Sequence, residues 1–156
     1  MTRIDAAARV AELFGTSGLL CAESVLQALC ERHGHAGDFV PRMASGFCSG
    51  VARTGGMCGA LSGAIMALGL LHGRDKGDES LETVYAMVQE LVAEFRERFG
   101  AVTCMDLLGV DFRTAEGQQA FRERNLKQER CIPMAGEAAG IAQRILEEFG
   151  AGPGGK

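Results

Sequence analysis

The stretch "GGMCGALSGAIMALGLL", residues 55–71, decides how the chain folds. From Met57 to Leu71 every residue is apolar or small and none is charged, which predicts a buried helix from Cys58 to about Leu71. This helix would lie at the centre of the domain or in a dimer interface. It is shorter than the roughly 20 residues that a membrane span needs, so no span is expected. Gly59, Gly63 and Gly69 are expected to let other helices pack closely against it.

Helical spacing continues on both sides of this segment, whereas strand signals are nearly absent. Apolar residues recur at helical intervals over residues 4–14, 20–33, 41–52, 80–99, 103–108, 114–125 and 132–149. Segment 114–125 has few apolar residues and is expected to lie on the surface. The pattern predicts an all-α, single-domain helical bundle of about six to eight helices over residues 1–150. Residues 151–156 are expected to form a disordered tail.

Composition excludes several classes of function. The 156 residues carry a net charge of −4 and no basic run, so nucleic acid is not an expected partner. No G-x-x-x-x-G-K-[ST] motif occurs, and no nucleotide is expected. The first twenty residues are charged where an export signal needs an apolar run. A cytoplasmic location is therefore expected, and structural disulfides are rare in that compartment.

Six cysteines are many for such a chain, and their positions separate them into two kinds. Four fall at or just before the N-terminus of a predicted helix: Cys21, Cys58, Cys104 and Cys131. A helix N-terminus presents unpaired N–H groups and a partial positive charge, which favour a thiolate over a thiol. If these helix ends converge, the four sulfurs form one site, although no C-x-x-C pair is present. The alternative is that each cysteine is a small core residue.

Cys30 and Cys48 fall inside predicted helices. Cys30 comes nine residues after Cys21, which places it half a turn away on the helical wheel, so it is expected in the core. Cys48 lies ten residues before Cys58 and is expected to be a core residue first and an auxiliary thiol second.

The four cysteines and the glycines near Cys58 resemble the C_GCAxxG_C_C family, whose members are described as putative redox-active proteins. The resemblance runs from about Leu13 to Ile145 and rests on "CAESVLQAL" around Cys21, "CGALSG" at 58–63, "FRERFGAVTCMDLLG" around Cys104, and Cys131. The family label spells Gly-Cys-Ala, whereas this chain has Cys-Gly-Ala at 58–60. The resemblance implies a small helical protein with a redox role. A similar module occurs in split-Soret cytochromes, where an iron–sulfur centre is associated with it. Their C-x-x-C-H motif is absent here, so no haem is implied.

The leading hypothesis is that Cys21, Cys58, Cys104 and Cys131 bind a 2Fe–2S or 4Fe–4S cluster for electron transfer or redox sensing. A thiol–disulfide protein with Cys58 as the reactive thiol is the first alternative. A structural zinc site with four cysteines and a non-catalytic helical interaction module are two others. A redox partner protein is expected but not identified, and whether the chain is an enzyme or a homodimer stays open.

Overall fold

The computed structural model describes residues 5–35 and 37–150. Within that part, the chain forms eight helical segments, of which α3 is left-handed: α1 Ala6–Thr16, α2 Cys21–Arg32, α3 Cys48–Arg53, α4 Gly59–His72, α5 Glu82–Phe99, α6 Cys104–Leu108, α7 Ala115–Glu123 and α8 Ile132–Phe149. A 3₁₀ helix, Arg42–Phe47, precedes α3, and a π turn, Lys127–Cys131, leads into α8. The described residues contain no strand, and the prediction of an all-α, single-domain fold is confirmed. The tail predicted over 151–156 lies outside the described residues.

Helix α4 is the buried centre of the bundle. It packs against α2, α5 and α8, while α1 packs against α2 and α8. Leu61 and Leu68 of α4 are completely buried, as are Leu91 and Phe95 of α5. The burial of α4 follows from its sequence, since a helix with no polar face is stable only when other elements cover it. No helix in the described ranges is long and apolar enough to cross a membrane.

Two of the three α4 glycines permit the close packing that was predicted for them. A Cβ built on Gly63 would lie 2.5 Å from the carbonyl oxygen of Ala22, so α2 and α4 meet backbone to backbone. Gly59 is equally crowded and is described with the cysteines below. The expectation for Gly69 was wrong, because nothing lies within 4 Å of its added Cβ and the residue faces solvent.

The segment predicted as one helix over 41–52 is instead a 3₁₀ helix followed by a left-handed turn. In α3, all residues from Ser49 to Arg53 have positive φ, between 52° and 67°. Each non-glycine residue in this region costs about 1–2 kcal/mol. The hydroxyl of Thr54 donates to the carbonyl oxygens of Gly50 and Val51, at 3.2 and 2.8 Å, and closes the turn. Helical spacing of apolar residues carries no information on handedness, which is why the prediction failed here.

Candidate functional site

A pair of backbone hydrogen bonds holds Cys58 and Cys104 beside each other. The N–H of Cys58 donates to the carbonyl oxygen of Val102, and the N–H of Cys104 donates to that of Gly56, both at 2.8 Å. Cys58 caps α4 directly after this bridge, and Cys104 is the first residue of α6. Two cysteines that are far apart in sequence are thus fixed together by the backbone, independently of any side-chain contact.

The left-handed turn forms a wall against Cys104. A Cβ on Gly50 would lie 2.5 Å from the Cβ and 3.4 Å from the Sγ of Cys104. The N–H of Gly56 donates to the carbonyl oxygen of Gly50 at 2.9 Å, which ties the turn to the bridge that carries Cys104. The strained turn therefore contributes directly to the position of this cysteine.

Cys21 begins α2 and lies over the first turn of α4. A Cβ on Gly59 would lie 2.4 Å from the Cys21 sulfur, so the missing side chain makes the space that the sulfur occupies. The carboxylate of Glu23 accepts the N–H of Leu20 at 3.1 Å and completes the N-terminal cap of α2. The absence of a side chain at Gly59, the residue after Cys58, is therefore what makes room for the Cys21 sulfur.

Cys131 belongs to the C-terminal part of the chain, where the π turn leads into α8. It ends the π turn and is the N-cap of α8, where Pro133 stands in the first helical turn. With Cys21, Cys58 and Cys104, it completes the set of four cysteines predicted at helix N-termini. Cys21, Cys58 and Cys104 lie at the start of a helix as predicted, whereas Cys131 has helical φ and ψ within the continuous helical run 126–149, and the N–H of Ile132 donates to the carbonyl oxygen of Lys127.

These four cysteines line one cavity of about 250 Å³. Most of its remaining wall is apolar, contributed by Phe14, Leu20, Ala60, Leu107, Leu108, Phe112, Phe121 and Met134. Helix α7 supplies Gln118, Phe121 and Arg122 to the wall, so the expectation that this helix only covers the surface was incomplete. The structure thus brings the four predicted residues together, while their function as ligands stays a prediction.

The thiols that face this cavity hold their protons more strongly than free cysteine does. Burial raises the pKa of Cys104 to about 12. Burial, with the nearby Cys104 and Cys58, also raises the pKa of Cys131 to about 12, although Lys127 and Arg130 oppose this shift. Burial raises the pKa of Cys58 too, against the effect of the N–H groups at the start of α4. In the absence of a bound cation, these three residues are neutral thiols at pH 7.

Positive charge surrounds the cavity without matching negative charge. Arg53, Arg122 and Lys127 line it, and no Asp or Glu is among the described lining residues. None of these three side chains forms an ion pair within the described residues, whereas Arg9, Arg98 and Arg144 elsewhere are all paired with glutamates. The ammonium of Lys127 lies 5.4 Å from the ring centre of Phe14, within the range of a cation–π interaction. The sequence analysis missed these cations, since they are scattered along the chain without a motif.

The cysteines surround a space and do not meet at one point. Among the described residues, no three His, Cys, Asp or Glu side chains are arranged to hold a single metal ion. A tetrahedral zinc site needs four sulfurs at about 2.3 Å from the ion. An iron–sulfur cluster places several irons and sulfides between its cysteines. A donor set of four thiols, an apolar wall and a glycine that makes space for Cys21 suit a group of that kind.

Cys30 and Cys48 do not line the cavity. Cys30 is buried within α2, as expected. Cys48 begins α3, and its thiol lies 3.5 Å from Oε1 of Glu23 and 3.8 Å from the carbonyl oxygen of Ala44. A hydrogen bond with the Cys21 thiol, together with burial, raises the pKa of Cys48. Cys48 therefore lies close to Cys21 but outside the wall of the cavity.

Comparison with known proteins identifies a family. The model of the C_GCAxxG_C_C family, described as putative redox-active protein, matches residues 19–145. No match was found among curated proteins or among solved structures. The matched range contains all four cysteines of the cavity and the glycine-rich start of α4. The chain belongs to the C_GCAxxG_C_C family, described as putative redox-active proteins.

Proposed function

We propose that Cys21, Cys58, Cys104 and Cys131 bind an iron–sulfur cluster, and that the protein uses it for electron transfer or redox sensing. One observation carries this proposal: four cysteines that are far apart in sequence line a single cavity. Coordination must remove the thiol protons, so the raised pKa values lower the affinity at neutral pH, and the iron–sulfur bonds have to outweigh this cost. When bound, the cluster accepts and donates single electrons.

The side chains around the cysteines would hold and protect such a group. Phe14, Phe112 and Phe121 line the cavity and would shield part of a bound cluster from water. A cluster with four thiolates is an anion, and Arg53, Arg122 and Lys127 supply the positive charge that offsets it. The N-termini of α2 and α4 add partial positive charge at Cys21 and Cys58. These features support a bound anion better than a set of neutral core thiols.

The structure favours neither of the two other chemical hypotheses. A reactive Cys58 would need a lowered pKa and access to solvent, but this residue is 8% exposed and burial raises its pKa. A zinc site would need the thiols to converge on one ion, whereas they surround a cavity. A cytoplasmic location stays a prediction. The redox partner protein and a homodimer stay predictions.

The test is purification without oxygen, followed by iron and sulfide analysis. Wild-type protein is expected to be brown, with sulfide-to-iron charge-transfer absorption and equal amounts of iron and sulfide. The variants Cys21→Ser, Cys58→Ser, Cys104→Ser and Cys131→Ser are each expected to lose most of the absorption. Cys30→Ser is the matched control, because Cys30 is outside the cavity. A colourless wild-type protein that takes up no iron on reconstitution refutes the proposal, and zinc in its place supports the structural alternative.

A further inference from the structure

We propose that Cys21 and Cys48 form a second redox centre, in which the two thiols close to a disulfide when the protein meets a low-molecular-weight disulfide. This pair is distinct from the set of four cysteines, since Cys48 does not line the cavity. Nothing in the family description assigns a function to Cys48. The proposal rests on where the chain places the two sulfurs.

The first turn of α2 holds Cys48 beside Cys21. Glu23, two residues after Cys21, accepts the Cys48 thiol at 3.5 Å and the hydroxyl of Ser45 at 3.0 Å. The same carboxylate accepts the N–H of Leu20, the residue before Cys21. Glu23 thus joins the 3₁₀ helix and Cys48 to the backbone on both sides of Cys21. The raised pKa of Cys48, to which Cys21 contributes, agrees with this placement.

Gly59 provides an independent measure of this proximity. The point that a Cβ on Gly59 would occupy lies 2.4 Å from the Cys21 sulfur and 2.9 Å from the carbonyl oxygen of Phe47. The chain that enters Cys48 therefore passes next to the Cys21 sulfur.

The two cysteines differ in exposure, and this difference assigns their roles. Cys21 is partly exposed and lines the open cavity, whereas Cys48 is 5% exposed. An external disulfide reaches Cys21, whose thiolate attacks one sulfur and releases one thiol, leaving a mixed disulfide on Cys21. Cys48 then attacks the Cys21 sulfur and releases the second thiol. The two protein thiols lose two electrons and two protons, and the external disulfide gains them as two thiols.

One consequence of this pair rests on the proposed function. A Cys21 sulfur that is bonded to Cys48 cannot bind iron, so the disulfide and a four-cysteine cluster exclude each other. Oxidation of the pair would leave three ligands at the cavity and release the cluster. The cluster-free protein, in turn, is the form that forms the disulfide most readily.

The experiment uses the full-length, cluster-free protein, which is fully reduced and then treated with glutathione disulfide. Trypsin places Cys48 on residues 43–53 and Cys21 on residues 10–32, together with Cys30. A Cys30→Ser background therefore makes the assignment unambiguous. The expected product is a single internal disulfide that joins these two peptides. Disulfides among Cys58, Cys104 and Cys131, or a stable mixed disulfide on Cys21, overturn the proposal.

The Cys48→Ser variant tests whether Cys48 acts as the resolving thiol or is only a buried residue. With Cys48 replaced, Cys21 is expected to accumulate the glutathione mixed disulfide, and the internal disulfide is lost. Circular dichroism checks that the variant is folded. An internal disulfide between Cys21 and another cysteine, or no glutathione on Cys21 of a folded variant, contradicts the assignment.

The rate at which the cluster is released distinguishes a failure of this proposal from a failure of the proposed cluster function. Reconstituted wild-type protein is expected to lose its iron to glutathione disulfide faster than reconstituted Cys48→Ser protein does. If both lose iron at the same rate, the pair does not control the cluster, although the mapped disulfide still stands. If neither takes up iron, the proposed function fails, and the peptide map alone decides whether the pair exists.

Discussion

The backbone of Gly50 lies directly against the side chain of Cys104. A Cβ on Gly50 would approach the Cβ of Cys104 to 2.5 Å, which is closer than non-bonded carbons come. Gly50 also has φ +67°, in the middle of the left-handed turn. Two separate requirements, a left-handed backbone and the absence of a side chain, therefore meet at one residue. This contact connects the strained turn to the cavity.

Gly50→Ala is expected to lower the free energy of unfolding by at least about 2 kcal/mol, because it adds backbone strain and forces Cys104 to move. Chemical denaturation of the cluster-free protein measures the change, and iron uptake on reconstitution is expected to fall with it. Gly46→Ala is the matched control in the adjacent 3₁₀ helix, where nothing lies within 4 Å of the added Cβ. Equal stability of both variants would contradict the contact.

The left-handed turn predicts that one substitution by glycine stabilises the protein, which is the opposite of its usual effect in a helix. Ala52 is exposed and has φ +52°, so Ala52→Gly is expected to raise the free energy of unfolding by up to about 1 kcal/mol. Ala93→Gly, at an exposed position within α5, is expected to lower it by about 1 kcal/mol. Thermal and urea denaturation of both variants give the comparison. A loss of stability in Ala52→Gly similar to that in Ala93→Gly would show that the turn is not strained.

Sequence periodicity was sufficient for the helices but not for the turn. An apolar stretch without charge identifies α4, and the regular stripe of α5 identifies its long helix, since both signals depend only on which residues need burial. The left-handed turn depends on hydrogen bonds that Thr54 and Gly56 make with the turn backbone. These contacts form only after the chain has folded, so no local pattern reports them. The density of glycines around residues 46–56 was the one available signal.

The four cysteines of the candidate site could be predicted from the sequence, but the residues and contacts around them could not. Helix N-termini can be located from sequence, and this placed Cys21, Cys58, Cys104 and Cys131 in one class. Their convergence depends on tertiary packing, as in the bridge that joins the chain before Cys58 to the chain before Cys104. The contact between Cys48 and Cys21 depends on the course of the 3₁₀ helix, which the sequence analysis had merged into a longer helix.

The pH dependence of thiol alkylation tests the electrostatics of the cluster-free site. Cys131 has a pKa of about 12 and is partly exposed, so iodoacetamide reaches a thiol that is almost fully protonated at neutral pH. Its alkylation rate is expected to rise about tenfold per pH unit, without levelling off near the value of about 8.5 typical of a free thiol. Peptide mass analysis gives the rate for each cysteine, and urea-unfolded protein is the reference. A plateau below about pH 8.5 in the folded protein would instead indicate a stabilised thiolate.

The same raised pKa values predict that the cluster-free protein becomes less stable at alkaline pH. The folded protein keeps the protons of Cys104 and Cys131 up to about pH 12, whereas the unfolded chain releases them from about pH 8.5. The folded state binds more protons in this window, so the free energy of unfolding falls as the pH rises through it. Urea denaturation at several pH values measures the slope. A Cys104→Ala, Cys131→Ala double variant is expected to show a smaller slope, and an unchanged slope would assign the effect to other groups.

The unpaired cations at the cavity predict a shift in the reduction potential of the proposed cluster. The reduced cluster carries one more negative charge than the oxidised form, so nearby positive charge favours reduction. Lys127→Glu is expected to lower the midpoint potential by tens of millivolts, because Lys127 lines the cavity and acts on Cys131. Arg124→Glu makes the same change of charge at an exposed position outside the cavity wall, where water and salt screen it. Redox titration followed by absorption is expected to show a clearly smaller shift for Arg124→Glu. Equal shifts in the two variants would mean that net charge, and not the position of Lys127, sets the potential.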